Sequence, residues 1–244
     1  MTKQVIIIPD VHGRTFWKSV VEQNPDADII FLGDYLDPYT QEGIYNYDAW
    51  LNLVDIVEFK KEHPDNVTLL IGNHDFHYFY PDATTARFDV RNYRRNNEYF
   101  NKNIGLFQVA AERRIAGRRF LFTHAGMSNG WSSQFKSESP VDADMLNNLW
   151  KSDELRLDFA AILNQITEER GGFDDHGSII WADIHEFTKL GALPAGIIQV
   201  VGHTHLNNDE PIAISDEDGN CLYCLDCRKA FILDEEGNIQ DYHQ

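Results

Sequence analysis

Five short aliphatic runs in this chain each stop at a cluster of Asp, His or Asn with a glycine in it or beside it. That recurrence limits the fold more than any other feature. Residues 4–9 run into Asp10-Val11-His12-Gly13, residues 28–32 into Gly33-Asp34, and residues 67–71 into Gly72-Asn73-His74-Asp75. Residues 119–122 run into Thr123-His124-Ala125-Gly126, and residues 197–201 into Gly202-His203-Thr204-His205. A nearly unbroken apolar run of this length reads as a strand buried on both faces, the pattern of a parallel sheet covered by helices. Phe16, Val20 and Val21 follow the first run at helical spacing, and Trp50, Leu53, Val54, Val57 and Phe59 follow the second. Strands alternating with helices make the fold class α/β.

Two longer stretches, about 92–116 and 142–170, also read as helical, and Gly171-Gly172 ends the second. The last forty residues differ. Residues 211–215, 222–226 and 230–233 are short strand candidates separated by Asp218-Gly219-Asn220 and Glu236-Gly237-Asn238 turns, which predicts a second sheet packed on the first. No repeat or Pro/Ser linker interrupts the 244 residues, so a single domain over 1–244 is expected, with helical cap-like insertions near 76–117 and 127–196. No apolar run approaches the roughly 18 residues of a membrane span, and no secretory leader is evident at the start. Three cysteines, Cys221, Cys224 and Cys227, are too few for a disulfide framework, and on a strand they would not face one side, so they read as small buried residues. A cytoplasmic protein without membrane attachment is the expectation.

Ligands of open α/β sheets bind beyond the carboxyl ends of the strands. Asp10, His12, Asp34, Asn73, His124, His203 and His205 would meet there. Imidazole and carboxylate suit divalent first-row metals, and seven such groups exceed what one ion takes. Two ions sharing a carboxylate would use them all, and Asp34, alone at its strand end, is the natural bridge. Any one of the five clusters by itself reads as an ordinary turn; their order and their glycines carry the inference.

Taken together, Asp10-Val11-His12, Gly33-Asp34-Tyr35-Leu36-Asp37, Gly72-Asn73-His74-Asp75, His124-Ala125-Gly126 and Gly202-His203-Thr204-His205 resemble the motifs of the calcineurin-like metallophosphoesterases. The spacing from Asp34 to Asp37, and Trp181-Ala182-Asp183, are similar to the branch of Ser/Thr phosphoprotein phosphatases and symmetrical diadenosine tetraphosphate hydrolases. The resemblance implies a four-layer αββα sandwich of two mixed sheets flanked by helices, the metallo-dependent phosphatase fold. It implies two divalent ions, one held by Asp10, His12 and His205, the other by Asn73, His124 and His203, with Asp34 between them. A metal-bound hydroxide would attack phosphorus, His74 would protonate the leaving oxygen, and Asp37 would orient that imidazole and keep it protonated near neutral pH. Manganese is the leading metal, with Fe, Zn or Ni also suited.

One position departs from the pattern. Protein phosphatases of this branch place an arginine after the second Asp, where this chain has Pro38, which has no donor. Arg14 and Arg87 are the candidate substrate contacts in its place, although Arg87, Arg91 and Arg94 or Arg95 also read as one solvated helical face. The aromatic run Phe76–Tyr80 and His77 read as packing rather than substrate contacts, and His63, His176 and His185 as surface residues. Net charge is −18 and argues against nucleic acid as a partner, yet residues 87–119 hold nine basic side chains against three acidic ones. The leading function is hydrolysis of phosphomonoesters, on a phosphoprotein or a small molecule. That basic segment would suit the alternative, a nucleotide or diadenosine polyphosphate hydrolase; a phosphodiesterase or nuclease, or an inactive binding scaffold, stands behind it. The oligomeric state cannot be read from the sequence.

Overall fold

In a computed structural model, residues 4–9 form β1 (Val5–Ile8), with all four side chains buried. The structure describes residues 3–80, 83, 86–135, 140–206 and 208–243, which divide into two compact units, Met1–Phe107 with Arg228–Gln244, and Gln108–Cys227. Within the first unit β1 pairs in parallel with β2 (Asp28–Phe31), Ile6 facing Ile29. β2 in turn pairs in parallel with β3 (Val67–Leu70), Ile30 facing Thr68. The crossovers carry α1 (Trp17–Gln23) and α2 (Asn46–Glu62), tied by the Trp17 indole N–H donating to Asn52 Oδ1 at 3.0 Å. α3 (Asn73–Phe79) starts directly at the end of β3, and α4 (Tyr93–Lys102) follows it. β4 (Phe107–Gln108) lies at the edge next to β3.

The second unit has its own mixed sheet. β5 (Ala111–Ile115) and β6 (Arg118–Phe122) form an antiparallel hairpin. β6 is parallel to β7 (Ile198–Val201), β8 (Ile212–Ser215) is the far edge, and β9 (Cys221–Cys224) lies between them, parallel to β7. Helices α5 (Asn129–Ser132), α6 (Ala143–Lys151) and α7 (Arg156–Leu163) complete it. Asn147 of α6 donates to Ala110 O at 2.8 Å and accepts from Val109 N at 3.0 Å, fixing the helix to the entry of β5.

The five aliphatic runs are the strands they were expected to be. Three other expectations change. The stretch 92–116 is helical as α4 and in one 3-10 turn, Ile104–Leu106; residues 111–115 are β5, and the two-residue turn Ala116-Gly117 has φ of 49° and 74°, the left-handed pair that suits a tight hairpin. The stretch 142–170 breaks into α6 and α7. The tail does not build one sheet: β8 and β9 belong to the second unit, whereas β10 (Phe231–Leu233) runs antiparallel to β1 and β11 (Ile239–Asp241) to β10. Short strands of similar composition do not encode which sheet they join. Of the cap-like insertions expected near 76–117 and 127–196, residues 81–82, 84–85 and 136–139 lie outside the described residues. Among the described residues no helix is long and apolar enough to cross a membrane.

Candidate functional site

The loops after β1 and β2 are laced together by their backbones. His12 N–H donates to Asp34 O at 2.6 Å and Gly13 N–H to Tyr35 O at 3.0 Å. His12, Asp34 and Asp37 all lie in the left-handed region, with φ of 44°, 54° and 55°. Such strain in non-glycine residues gathers at functional sites. Gly33 and Gly72 meet where these loops pack on α3: a Cβ on Gly33 would lie 2.4 Å from Gly72 N, and one on Gly72 would lie 2.0 Å from Asp34 Oδ1. Here glycine is required by the close approach of two backbones.

His12 is buried with Nδ1 2.8 Å from Leu36 O, so that nitrogen donates and Nε2 is left with its lone pair, 3.4 Å from Asp34 Oδ2. Burial, helped by His74 and Arg87, holds the His12 imidazole well below its ordinary pKa, in the neutral form that binds metal. Ligand atoms of His12, Asp34 and His74 lie within 4.8 Å of one another, all three residues buried. Asp10 and Asn73 are buried at the ends of β1 and β3. A buried carboxylate facing imidazoles whose tautomers are fixed by second partners is a donor set that fits a divalent ion.

Asp37 accepts from the Tyr78 hydroxyl at 2.8 Å, and its Oδ2 lies 2.9 Å from His74 Nδ1 and 3.0 Å from His77 Nε2. Burial alone would raise its pKa, but the two imidazoles hold it below the usual carboxylate range. His74 does not follow the expectation of an imidazole kept protonated near neutral pH. Burial outweighs Asp37, Arg87 and His77 add to the depression, and the pKa falls to about 4. Nδ1–H therefore points at Asp37 and Nε2 faces Arg87. His77 is buried in α3, and the aromatic run packs as expected, Tyr78 stacking on Phe100 at 5.9 Å.

Arg87 is not on a helical face. Its backbone is left-handed, with φ 64°, and Nε donates to Asp37 O at 2.9 Å. Nη2 lies 3.4 Å from His12 Nε2 and 3.3 Å from His74 Nε2. Arg14 instead grips Glu42 with two nitrogens, at 2.7 and 2.8 Å, and donates from its third to Asp10 O.

In the second unit, His124 at the end of β6 and His203 at the end of β7 bring Nε2 and Nδ1 to 3.2 Å, and His203 also has a left-handed φ of 65°. Trp181 sets its ring edge-on to His203 at 5.9 Å. His205 Nδ1 lies 3.9 Å from Asp226 Oδ2. Arg170 pairs with Asp183 at 2.7 Å and donates to the Thr204 hydroxyl at 2.5 Å, bracing the loop that carries both histidines. His185, exposed as expected, still places Nδ1 2.6 Å from Asp183.

A family model described as calcineurin-like phosphoesterase matches residues 3–207. The chain belongs to that family. It is 23% identical over 208 residues, 82% of its length, to the serine/threonine-protein phosphatase 6 catalytic subunit of Drosophila melanogaster, and spans only 56% of that relative. Among solved structures, a cold-active protein-tyrosine phosphatase of a Shewanella species superimposes with TM-score 0.64 at 14% identity, over 99% of this chain and 80% of that one. A serine/threonine phosphatase from Saccharomyces cerevisiae does so with TM-score 0.55 at 13% identity, again over 99% and 80%. The α/β class, with two mixed sheets flanked by helices, is thus the phosphoesterase fold.

Three supporting residues escaped the motif reading. Asp75, last in its cluster, accepts from Asp34 N at 2.7 Å, Tyr35 N at 2.9 Å and Gly72 N at 3.0 Å, joining two motif loops to the start of α3. Its place three residues after Gly72, at the start of a helix, was the available signal. Arg170 and Asp226 carry no local signal, since their partners are distant in sequence.

Proposed function

We infer that this protein is a two-metal phosphoesterase acting on phosphomonoesters. The observation that carries the reading is the convergence of His12 Nε2, His74 Nε2 and the Asp34 carboxylate under the Arg87 guanidinium. Asp10, His12 and His205 would hold one divalent ion, and Asn73, His124 and His203 the other, with Asp34 shared; manganese is the first choice. Bound ions would supply Lewis acidity and an activated water. The chain's own part is to orient the phosphoryl group and deliver a proton. Arg87 would take the phosphate oxygens in place of the donor missing at Pro38. Arg14, committed to Glu42, would act on the site through the Asp10 carbonyl rather than on substrate. His74, aimed by Asp37, would present Nε2 to the leaving oxygen and act as its acid in the protonated form, which an anionic phosphoryl group beside it would favour over the neutral form that burial favours.

A polyphosphate substrate draws less support from charge, because the basic residues of 87–119 differ in their surroundings. Arg87 turns inward, Arg94 pairs with Glu98 on α4, and Arg113, Arg114, Arg118 and Arg119 lie on the β5–β6 hairpin. We further read residues 1–244 as one catalytic domain, since the family match runs through both units. Cytoplasmic residence is consistent with three cysteines held as thiols.

The test is manganese-supplemented hydrolysis of p-nitrophenyl phosphate, a phosphopeptide and bis-p-nitrophenyl phosphate. Monoesters should be preferred over the diester. His74→Ala should lower turnover about 10²- to 10⁴-fold, the usual share of a positioned acid, with bound metal by elemental analysis unchanged. Near wild-type turnover in that variant removes His74 from the role.

A further inference from the structure

Asp37 enters the function just proposed as the partner of His74, one carboxylate oxygen against one imidazole. α3 brings it two further groups, both beyond the end of the Gly72-Asn73-His74-Asp75 motif. His74, His77 and Tyr78 are three and four residues apart, so they share one face of the helix. All three reach the Asp37 carboxylate. His74 Nδ1 lies 2.9 Å and His77 Nε2 3.0 Å from Oδ2, and the Tyr78 hydroxyl donates to Oδ1 at 2.8 Å. His77 and Tyr78 are fully buried.

A carboxylate held at one oxygen can still turn about its last side-chain torsion, which is a soft one, and its partner then loses its aim. Here the other oxygen is held too. Burial, and after it the charge of Asp37, raises the Tyr78 hydroxyl above its ordinary pKa, so it keeps its proton and donates. The donor itself is anchored. Its oxygen accepts from Asp89 N–H at 3.3 Å, its ring stacks on Phe100, and Asn97 Nδ2 donates to the Tyr78 carbonyl at 2.6 Å. His77 lies beside Oδ2 without lining up for a hydrogen bond, its ring edge-on to Phe88 at 4.5 Å. The directed bond on Oδ2 therefore goes to His74, and His77 adds a close contact that resists rotation of the carboxylate. The main chain of Asp37 is tied as well, through Arg87 Nε on its carbonyl at 2.9 Å.

We propose that Tyr78, with His77 beside it, is a positioning residue that fixes the plane of the Asp37 carboxylate and thereby aims the His74 imidazole at the leaving oxygen. The inference rests on the phosphoesterase reading. In that reading protonated His74 gives its Nε2 proton to the leaving oxygen as the P–O bond breaks. The electron pair of that bond stays on the oxygen, and the imidazole is left neutral with Nδ1–H still on Asp37.

The experiment measures kcat and KM for p-nitrophenyl phosphate and phenyl phosphate, at fixed free metal, for wild type, Tyr78→Phe, His77→Leu and His74→Ala. Nitrophenolate leaves as a stabilised anion and needs little help, whereas phenolate depends on the donated proton, so a misaimed acid costs more on phenyl phosphate. Tyr78→Phe should lower kcat on phenyl phosphate about three- to tenfold, the range expected for one lost hydrogen bond, with a smaller loss on p-nitrophenyl phosphate and KM unchanged on both. A loss equal on the two esters, which would mark Tyr78 as structural, overturns the proposal. So does an unchanged kcat on phenyl phosphate. If Tyr78→Phe does not fold, His77→Leu decides by the same criterion. His74→Ala should show the largest difference between the esters; equal losses there remove the acid role of His74 and the proposal with it. A wild type that turns over neither ester would instead sink the phosphoesterase reading. Nitrogen-15 imidazole NMR would then decide the question of Tyr78: the His74 Nδ1 proton should exchange with solvent faster in Tyr78→Phe than in wild type, and equal rates overturn the proposal.

Discussion

Arg87 shows how much a single residue's backbone can decide. A left-handed φ turns its side chain off any helical surface and onto two imidazoles, where one nitrogen lies 3.4 Å from His12 and 3.3 Å from His74. If it grips the phosphoryl group, Arg87→Met removes charge-assisted hydrogen bonds worth about 1.5–3 kcal/mol, and kcat/KM for p-nitrophenyl phosphate should fall roughly 10- to 150-fold, most of it in KM. An unchanged KM would separate Arg87 from substrate. Gly33 is equally constrained, by space: with φ 110° and a virtual Cβ 2.4 Å from Gly72 N, it has no room for any side chain. Gly33→Ala should cost about 3 kcal/mol or more in urea unfolding, from strain and overpacking together. His12, Asp34 and Asn73 were legible in the sequence because each follows an aliphatic run. Arg87 was legible only as an ambiguous basic residue, since nothing local reports the sign of φ.

Among the elements, the loop between β7 and β8 depends on a brace whose arginine, Arg170, no motif announces. Asp183 accepts from His185 N–H, pairs with Arg170 and, despite a burial effect that would raise its pKa, is held below the ordinary carboxylate value by His185 and Arg170. A carboxyl whose folded pKa is depressed contributes stability above its unfolded pKa and loses it as pH falls through the folded one. Asp183→Asn should therefore be less stable than wild type near pH 7, and the gap should shrink as pH drops below the normal carboxylate range. Denaturant melts at the two pH values measure this; a gap that stays constant would show that the charge of Asp183 is not what stabilises the loop. The β5–β6 hairpin carries a related lesson. Arg113, Arg114, Arg118 and Arg119 obscured the strand alternation, and only the two-residue turn at Ala116-Gly117 marked it.

On the scale of the whole molecule, the seven proposed ligands come from strand ends spread over most of the chain, so metal binding should be linked to global stability. Ligands that bind only the native state stabilise it by mass action, by about 2.7 kcal/mol at one hundred times Kd. Chelation should lower Tm, and added manganese should restore it in a concentration-dependent way. A Tm indifferent to both would argue that the described folds form without the proposed ions.

The sequence by itself determined the α/β class and the five strand ends, because a strand covered on both faces must be apolar throughout and a ligand must interrupt it where it emerges. It also marked the crowded glycines, since close backbone approach excludes every other residue. Tertiary structure alone decided that β10 and β11 complete the first sheet, that burial depresses the His74 pKa, and that Arg87 and Arg228 reach the Tyr39 ring. Those outcomes depend on burial and on contacts between residues far apart in the chain, which leave no periodic trace in composition or spacing.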